Sequence, residues 1–230
     1  MIFELLKNKP SILIISPHAD DEIIGCGGLI AAAKYYESKV NVLYMTVGSS
    51  RQLITGKTEA ETRLKEIKKV SKLGNFEYEI LYINKNFVML DTVPQKEIID
   101  SIEDKIQIYK PDIVCIPFSG SYNQDHRATY TACITALRPI PQNIRHFPKL
   151  ILEYEEPYTW NCFEHFCPNA YLNTESFYNL KLQMMKKHKS QNRPDPFARS
   201  VNNLKRQMQI RGAECGYNYA EAYKILRCIL

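Results

Sequence analysis

The chain has 230 residues, of which 45% are hydrophobic, 24% charged and 11% aromatic. This is the make-up of an ordinary soluble globular protein, and the length suits one large domain, read here as a single unit over 1–230. No apolar run approaches the roughly 20 residues that cross a bilayer. The opening residues lack the long apolar segment and small-residue site of a signal peptide, so no membrane span or leader is expected.

The formal net charge is +5, part of it in a cluster of Lys181, Lys186, Lys187, Lys189 and Arg193. Such a run is either a solvated helix face or an attraction for an anionic group on a substrate. No interleaved aromatic or helix-turn-helix pattern accompanies it, so nucleic acid is not an expected partner. Seven scattered cysteines, an odd number, read as small buried hydrophobes in a reducing cytoplasm rather than a disulfide framework.

In chain order, residues 11–16 form a continuous aliphatic run, the pattern of a strand buried on both faces. A helix is expected over 22–38, a strand over 40–47, a helix over 58–73, a strand over 78–83, and a helix over 94–109 that starts on a proline. A buried strand over 112–118 and a helix over 126–137 follow. This alternation predicts an α/β fold, a Rossmann-like, mainly parallel sheet with helices on both faces. After Pro139 the rhythm breaks: a proline-marked connection, a strand over 150–156, an irregular aromatic stretch over 157–171, and helices over 175–189, 196–211 and 219–228.

The first strand leads into "SPHADDEIIGCGG", which places His18, Asp20, Asp21 and Glu22 at the carboxyl edge of the sheet, where such folds bind ligands. Acids at a helix start are ordinary caps. Three acids and a histidine exceed what a cap needs, and their repulsion in a crevice asks for a cation. A dinucleotide fingerprint fails, because the third small residue after Gly25 and Gly27 would be Ile30; the glycines read instead as close packing of helix on sheet. A zinc site needs a third ligand. His126 lies just past the strand over 112–118 and so leaves the same sheet edge. A second metal at Cys162, His165 and Cys167 lacks a fourth partner, and aromatic loop packing is the simpler reading.

"SPHADDEIIGCGGLIAA" together with "NQDHRAT" resembles the LmbE-like, PIG-L family of zinc-dependent N-acetylglucosamine deacetylases. "TRLKEIKKVSKLGN", "KKHKSQ" and "RGAECGYNYAEAY" are similar to later landmarks of that family, in order, over about 11–224. The resemblance implies that His18, Asp21 and His126 bind Zn²⁺ (or another divalent metal such as Fe²⁺) and that Asp20 is the general base. Asp125 could orient a ligand, and Glu22 is either such a support or a cap. Arg63 and Asp91 match positions near polar substrate groups, with an exposed helix residue and a turn residue as their plain alternatives. The family's first histidine of H-x-D-H is Asn123 here; it can donate a hydrogen bond to an oxyanion but cannot deliver a proton.

The expectation is a cytoplasmic, metal-dependent hydrolase that removes an acetyl group from an N-acetylated amino sugar or its conjugate, with a homo-oligomer open. The alternatives are an amidase on another N-acyl compound and a catalytically silent sugar- or nucleotide-binding relative.

Overall fold

The computed structural model describes residues 6–52, 56–84, 89–157 and 164–229. Its elements are β1 (Ile12–Ser16), α1 (Asp21–Tyr35), β2 (Val40–Gly48), β3 (Ser50–Gln52), β4 (Gly56–Thr58), α2 (Ala60–Gly74) and β5 (Glu77–Asn84). A 3-10 turn (Leu90–Thr92) precedes α3 (Gln95–Tyr109), β6 (Ile113–Ile116), α4 (Gln124–Ala136) and β7 (Leu150–Tyr154). The chain then runs through β8 (Ala170–Asn173), α5 (Tyr178–Met185), α6 (Val201–Cys215) and β9 (Ala220–Cys228).

Seven strands form one sheet in the order β5-β2-β1-β6-β7-β9-β8, and β3 pairs with β4 as a separate ribbon. The first five are parallel; β9 runs antiparallel to both β7 and β8. The chain builds outward from β1 to β5, then returns to lay β6 on the other side of β1. That reversal opens a crevice at the carboxyl ends of β1 and β6. The parallel register, with Ile14 opposite Cys115, brings both strands to that edge side by side.

The aliphatic run of β1 divides its side chains between two layers, as the period of a strand requires. Ile12 and Ile14 pack with Ile23, Cys26 and Ile30 of α1, whereas Leu13 and Ile15 pack with Ile98, Ile102 and Ile106 of α3 and Cys133 of α4. In α3 the buried isoleucines recur every four residues, one stripe of an otherwise polar helix. Helix α1 is different: it is buried from Asp21 through Ala33, between the sheet and α5.

The glycines of α1 make that burial possible. A β-carbon on Gly25 would lie 2.2 Å from Tyr154 Cδ2, on Gly27 2.7 Å from Lys181, and on Gly28 2.5 Å from Thr174. Packing on the sheet, expected for all three, holds for Gly25 and for Gly28, which meets Thr174 and the Glu221 carboxylate of β9, whereas Gly27 is set against α5. Glu221 of β9 accepts hydrogen bonds from the Gly28 and Leu29 amides at 2.5 and 2.9 Å, from Lys181 Nζ at 2.7 Å and from Tyr223 Oη at 2.7 Å. Lys181 Nζ also donates to the Ile24 carbonyl at 2.7 Å, so a buried ion pair is bonded directly to the backbone of α1.

Several expectations for the last third are corrected. Residues 219–228, expected as a helix, contain strand β9, because pairing with β7 and β8 on both edges outweighs the helix propensity of "AEAYKIL". Helix α6 begins at Val201 rather than Pro196, where Ser200 Oγ caps it by accepting from Asn203 N at 3.0 Å. Helix α5 covers only Tyr178–Met185, and β8 lies at the end of the stretch expected to be irregular. In the basic cluster Lys181 and Arg193 are buried, while Lys186, Lys187 and Lys189 are exposed. Among the described residues no helix is long and apolar enough to cross a membrane. The described cysteines are free thiols, with Cys26, Cys115 and Cys133 buried.

Tyr154 is fully buried and its hydroxyl donates to the Ile15 carbonyl at 3.0 Å, so its ring cannot yield. Gly25→Ala is therefore expected to destabilise the fold by about 1–3 kcal/mol, read as a lower midpoint in urea with an unchanged m-value.

Candidate metal centre and cleft

The loop after β1 is pinned before it reaches the site. Ser16 Oγ donates to the His18 carbonyl at 2.7 Å, and the Pro17 carbonyl accepts from Thr46 N of β2 at 3.1 Å. Asp20 then turns the chain into α1 with φ 127° and ψ −27°, a left-handed conformation rare for a residue with a side chain. Strain of this kind, on the order of 1–3 kcal/mol, persists where its surroundings hold it. Its carbonyl accepts from Ile23 N and Ile24 N at 3.0 and 2.9 Å, yet its carboxylate makes no cap. Capping is thus not what the acids do here.

Three donor atoms converge. His18 Nδ1 and His126 Nε2 are 3.2 Å apart, and Asp21 Oδ2 lies 3.4 Å from the first and 3.1 Å from the second. The opposite ring nitrogens are already used. His18 Nε2 donates to Asp125 Oδ2 at 2.9 Å, and His126 Nδ1 donates to Glu156 Oε1 at 2.6 Å. Each ring proton is thereby placed away from the cluster, so two imidazole lone pairs and a carboxylate oxygen face one another. A tetrahedral zinc with ligands about 2.0–2.1 Å away has edges of about 3.3–3.4 Å. The donor set and its spacing fit that ion. His18, Asp21 and His126 form the candidate metal group found among the described residues.

The electrostatics agree. Burial works against ionising Asp21, but His126 and His18 hold its carboxyl well below the usual range. Burial likewise lowers His126, yet Glu156 and Asp21 raise it well above its ordinary value, and Asp125 and Asp21 raise His18. The pocket favours positive charge at its centre.

Asp125 is itself fixed, since its Oδ1 accepts from Leu90 N at 2.7 Å. Glu156 is fixed by Ser121 Oγ, which donates to its Oε2 at 2.7 Å. Carboxylates behind ligating histidines set their tautomer and orientation. Asp125, expected from the sequence to orient a ligand, bonds to His18 rather than to the adjacent His126, whereas Glu156 and Ser121 were missed. The available signal was two acids just past β7, the next strand along the same edge.

Behind the donors, Glu22 is fully buried; its Oε2 accepts from Asp20 N at 2.9 Å and its Oε1 accepts from His188 Nε2 at 2.7 Å. It holds the Asp20 turn through the backbone amide. Asp20 is also fully buried, and its Oδ2 accepts from Arg199 Nη1 at 2.9 Å. Burial pushes its carboxyl up, with Arg199 opposing. His188 and Arg199 had no assigned role in the sequence.

A cleft of about 30 Å³ opens over the donors, lined by His18, Asp21, Asn123, His126, Tyr122 and Arg199 among others. That is room for one or two water-sized groups. Asn123 is the N-cap of α4, and its Oδ1 accepts from Asp125 N at 2.9 Å, which leaves Nδ2 as the donor for the cleft. Asp20, Arg63 and Asp91 are not among the cleft-lining residues; Asp20 lies behind the cleft wall, bonded to Arg199. Arg63 is buried, with Nη2 donating to the Ala19 carbonyl at 3.2 Å, so it braces the motif loop and is no exposed helix residue. Asp91 is exposed on the 3-10 turn whose Leu90 holds Asp125. Of the proposed second metal group, Cys162 is outside the described residues, and His165 and Cys167 are exposed.

A mainly parallel α/β sheet thus gathers two histidines and an aspartate, a candidate metal-holding group, at its switch point. The chain belongs to the PIG-L family, described as GlcNAc-PI de-N-acetylase, which matches residues 13–137. It is 29% identical over 193 residues to the "uncharacterized deacetylase YaiS" of Escherichia coli K12, covering 80% of this chain and 93% of that one. Its fold is similar to that of N,N′-diacetylchitobiose deacetylase from Pyrococcus horikoshii, with a TM-score of 0.74 and 23% identity over 98% of this chain and 88% of that one. It is similar as well to GalB, the 4-carboxy-2-hydroxymuconate hydratase of Pseudomonas putida KT2440, with a TM-score of 0.72 and 16% identity over 96% and 98% of the two chains.

Removing a carboxylate behind a ligand tests the histidine dyads. Glu156→Gln is expected to weaken zinc affinity about 10- to 100-fold, measured by competition against a chromophoric chelator, with the melting temperature of the metal-free protein little changed.

Proposed function

We propose that this protein is a zinc-dependent deacetylase that cleaves the acetamide of an N-acetylated amino sugar or its conjugate. The observation that carries this reading is the convergence of three lone-pair donors at 3.1–3.4 Å, each imidazole turned inward by its own carboxylate. His18, Asp21 and His126 are the residues that would hold the metal. When bound, the ion would polarise the amide carbonyl and make water more acidic.

The chain's own residues supply the remaining parts. Asp20 accepts a proton from the attacking water and returns it to the amine nitrogen as the C–N bond breaks. A C–O bond forms at the carbonyl carbon, and the products are acetate and the free amine. Asn123 Nδ2 donates to the carbonyl oxygen as negative charge develops there. Because Asn123 cannot give up a proton, Asp20 serves both transfers. The cleft admits little beyond the acetyl group, so the sugar lies outside it, past Tyr122 and Pro157 in the cleft wall.

The deciding assay is chelator-sensitive acetate release over free N-acetylglucosamine, N,N′-diacetylchitobiose, and nucleotide-, thiol- and phosphatidylinositol-linked N-acetylglucosamine. Release from at least one is expected, with loss on chelation and recovery with zinc. Metal bound without acetate from any of them would falsify the reading, a needed distinction when a hydratase shares the fold.

Asn123 can be separated from its cap. Asn123→Asp keeps an acceptor for Asp125 N but removes the donor, and should lower kcat by about 10²- to 10³-fold at an unchanged melting temperature. A preserved kcat at an unchanged melting temperature would make Asn123 a cap alone.

A further inference from the structure

The segment between α5 and α6 sends one cation into the cleft wall. Arg199 immediately precedes Ser200, the N-cap of α6, where a positive charge opposes the helix dipole. The helix therefore does not account for it. Its partner lies far away in sequence: Nη1 donates to Asp20 Oδ2 at 2.9 Å, across 179 positions. Its side chain is 28% exposed while that of Asp20 is fully buried, so Arg199 spans from the cleft to the acid behind it.

The two oxygens of Asp20 are unequal. Oδ2 is held by Arg199, whereas Oδ1 is buried and has no hydrogen-bond partner among the described residues. Buried polar atoms of folded proteins are nearly always satisfied, and an exception calls for a reason. The backbone beneath is rigid, clamped in its left-handed turn by Glu22 Oε2 on the Asp20 amide at 2.9 Å. The carboxylate plane is thus set from two sides, by Glu22 through the main chain and by Arg199 through Oδ2. Arg63 faces the same turn but donates to the Ala19 carbonyl, so it does not duplicate the Arg199 bond.

We propose that Arg199 is a positioning residue for the deacetylation: by holding Oδ2 it leaves Oδ1 as the oxygen that receives the water's proton and passes it to the leaving amine. This rests on the reading of Asp20 as the base. The proton count is unchanged, since the one taken from water is the one delivered to nitrogen.

A double-mutant cycle tests it on the zinc-loaded enzyme, with N,N′-diacetylchitobiose, or the panel sugar turned over faster than it, as the probe. Arg199→Ala is expected to lower kcat by about 10²-fold, the scale of a misplaced catalytic group, with KM changed less than about threefold and zinc content unaltered. Arg199→Lys should recover much of the loss, because one donor to Oδ2 is enough. In an Asp20→Asn background, Arg199→Ala should cause no further fall, since residues acting as a unit are not additive. A full additional loss in that background, or a KM effect without a kcat effect, overturns the proposal and makes Arg199 a substrate contact. Wild-type kcat in Asp20→Asn alone overturns the base reading, and this inference with it. Should Arg199→Ala lose its cooperative melt, Arg199→Gln and Arg199→Lys carry the same cycle.

Discussion

Carboxylates taken out of water must each find a compensating charge or donor, and most of this molecule's long-range organisation follows from meeting that demand. Asp20, Asp21, Glu22, Asp125 and Glu156 are all buried near the end of β1. Asp125 and Glu156 take a histidine N–H each, Glu22 takes His188 and the Asp20 amide, and Asp20 takes Arg199. Of these acids Asp21 alone meets lone pairs as well as protons, and it does so in the candidate metal group found among the described residues. The acids are therefore sorted by what answers them, with the partners drawn from the loop after β1, from α4 and from the region after α5.

That sorting explains why the C-terminal third is wound back over the motif. His188 lies in the turn that follows α5 and Arg199 just before the N-cap of α6, and α5 is tied to α1 through Lys181 and Glu221. The glycines of α1 permit the approach, and the Glu221 carboxylate bonds to backbone amides that the close packing exposes. Stability and function share the same helix here. A change in α1 that loosens its packing also shifts the Asp20 turn at its start, so folding and geometry of the site are coupled by construction.

How much could be read from residues alone follows from the same physics. β1 was legible because burial on both faces forces an unbroken aliphatic run, and His126 joined His18 because two parallel strands share a carboxyl edge. Asp125 was legible by adjacency to His126, although the imidazole it bonds is that of His18. Glu156, His188 and Arg199 were not, since each acts on a partner fixed by tertiary folding, and a lone Glu, His or Arg carries no periodic signal. β9 was misread for a related reason. "AEAYKIL" is locally a good helix, and only its two antiparallel neighbours make it a strand. Glu22 was half legible: it supports the site, but through the amide of Asp20 rather than through a ligand.

Asn123 shows the limit of arguing by residue type. From the sequence it is a deficient histidine, a side chain that cannot carry a proton. In the structure it is the N-cap of the helix bearing His126, with its carbonyl oxygen committed to Asp125 N and its amide left to the cleft. Asn is among the strongest N-caps. The cap also fixes which end of the amide faces the substrate, something an uncommitted side chain would have to settle by rotation. The substitution thus gives up one proton carrier and gains a preset hydrogen-bond donor. In the mechanism proposed above both proton transfers fall on Asp20, whose orientation then has to be held more firmly than in a site with two acids to share the task. Arg199 on one oxygen and Glu22 on the backbone amide are the contacts that hold it.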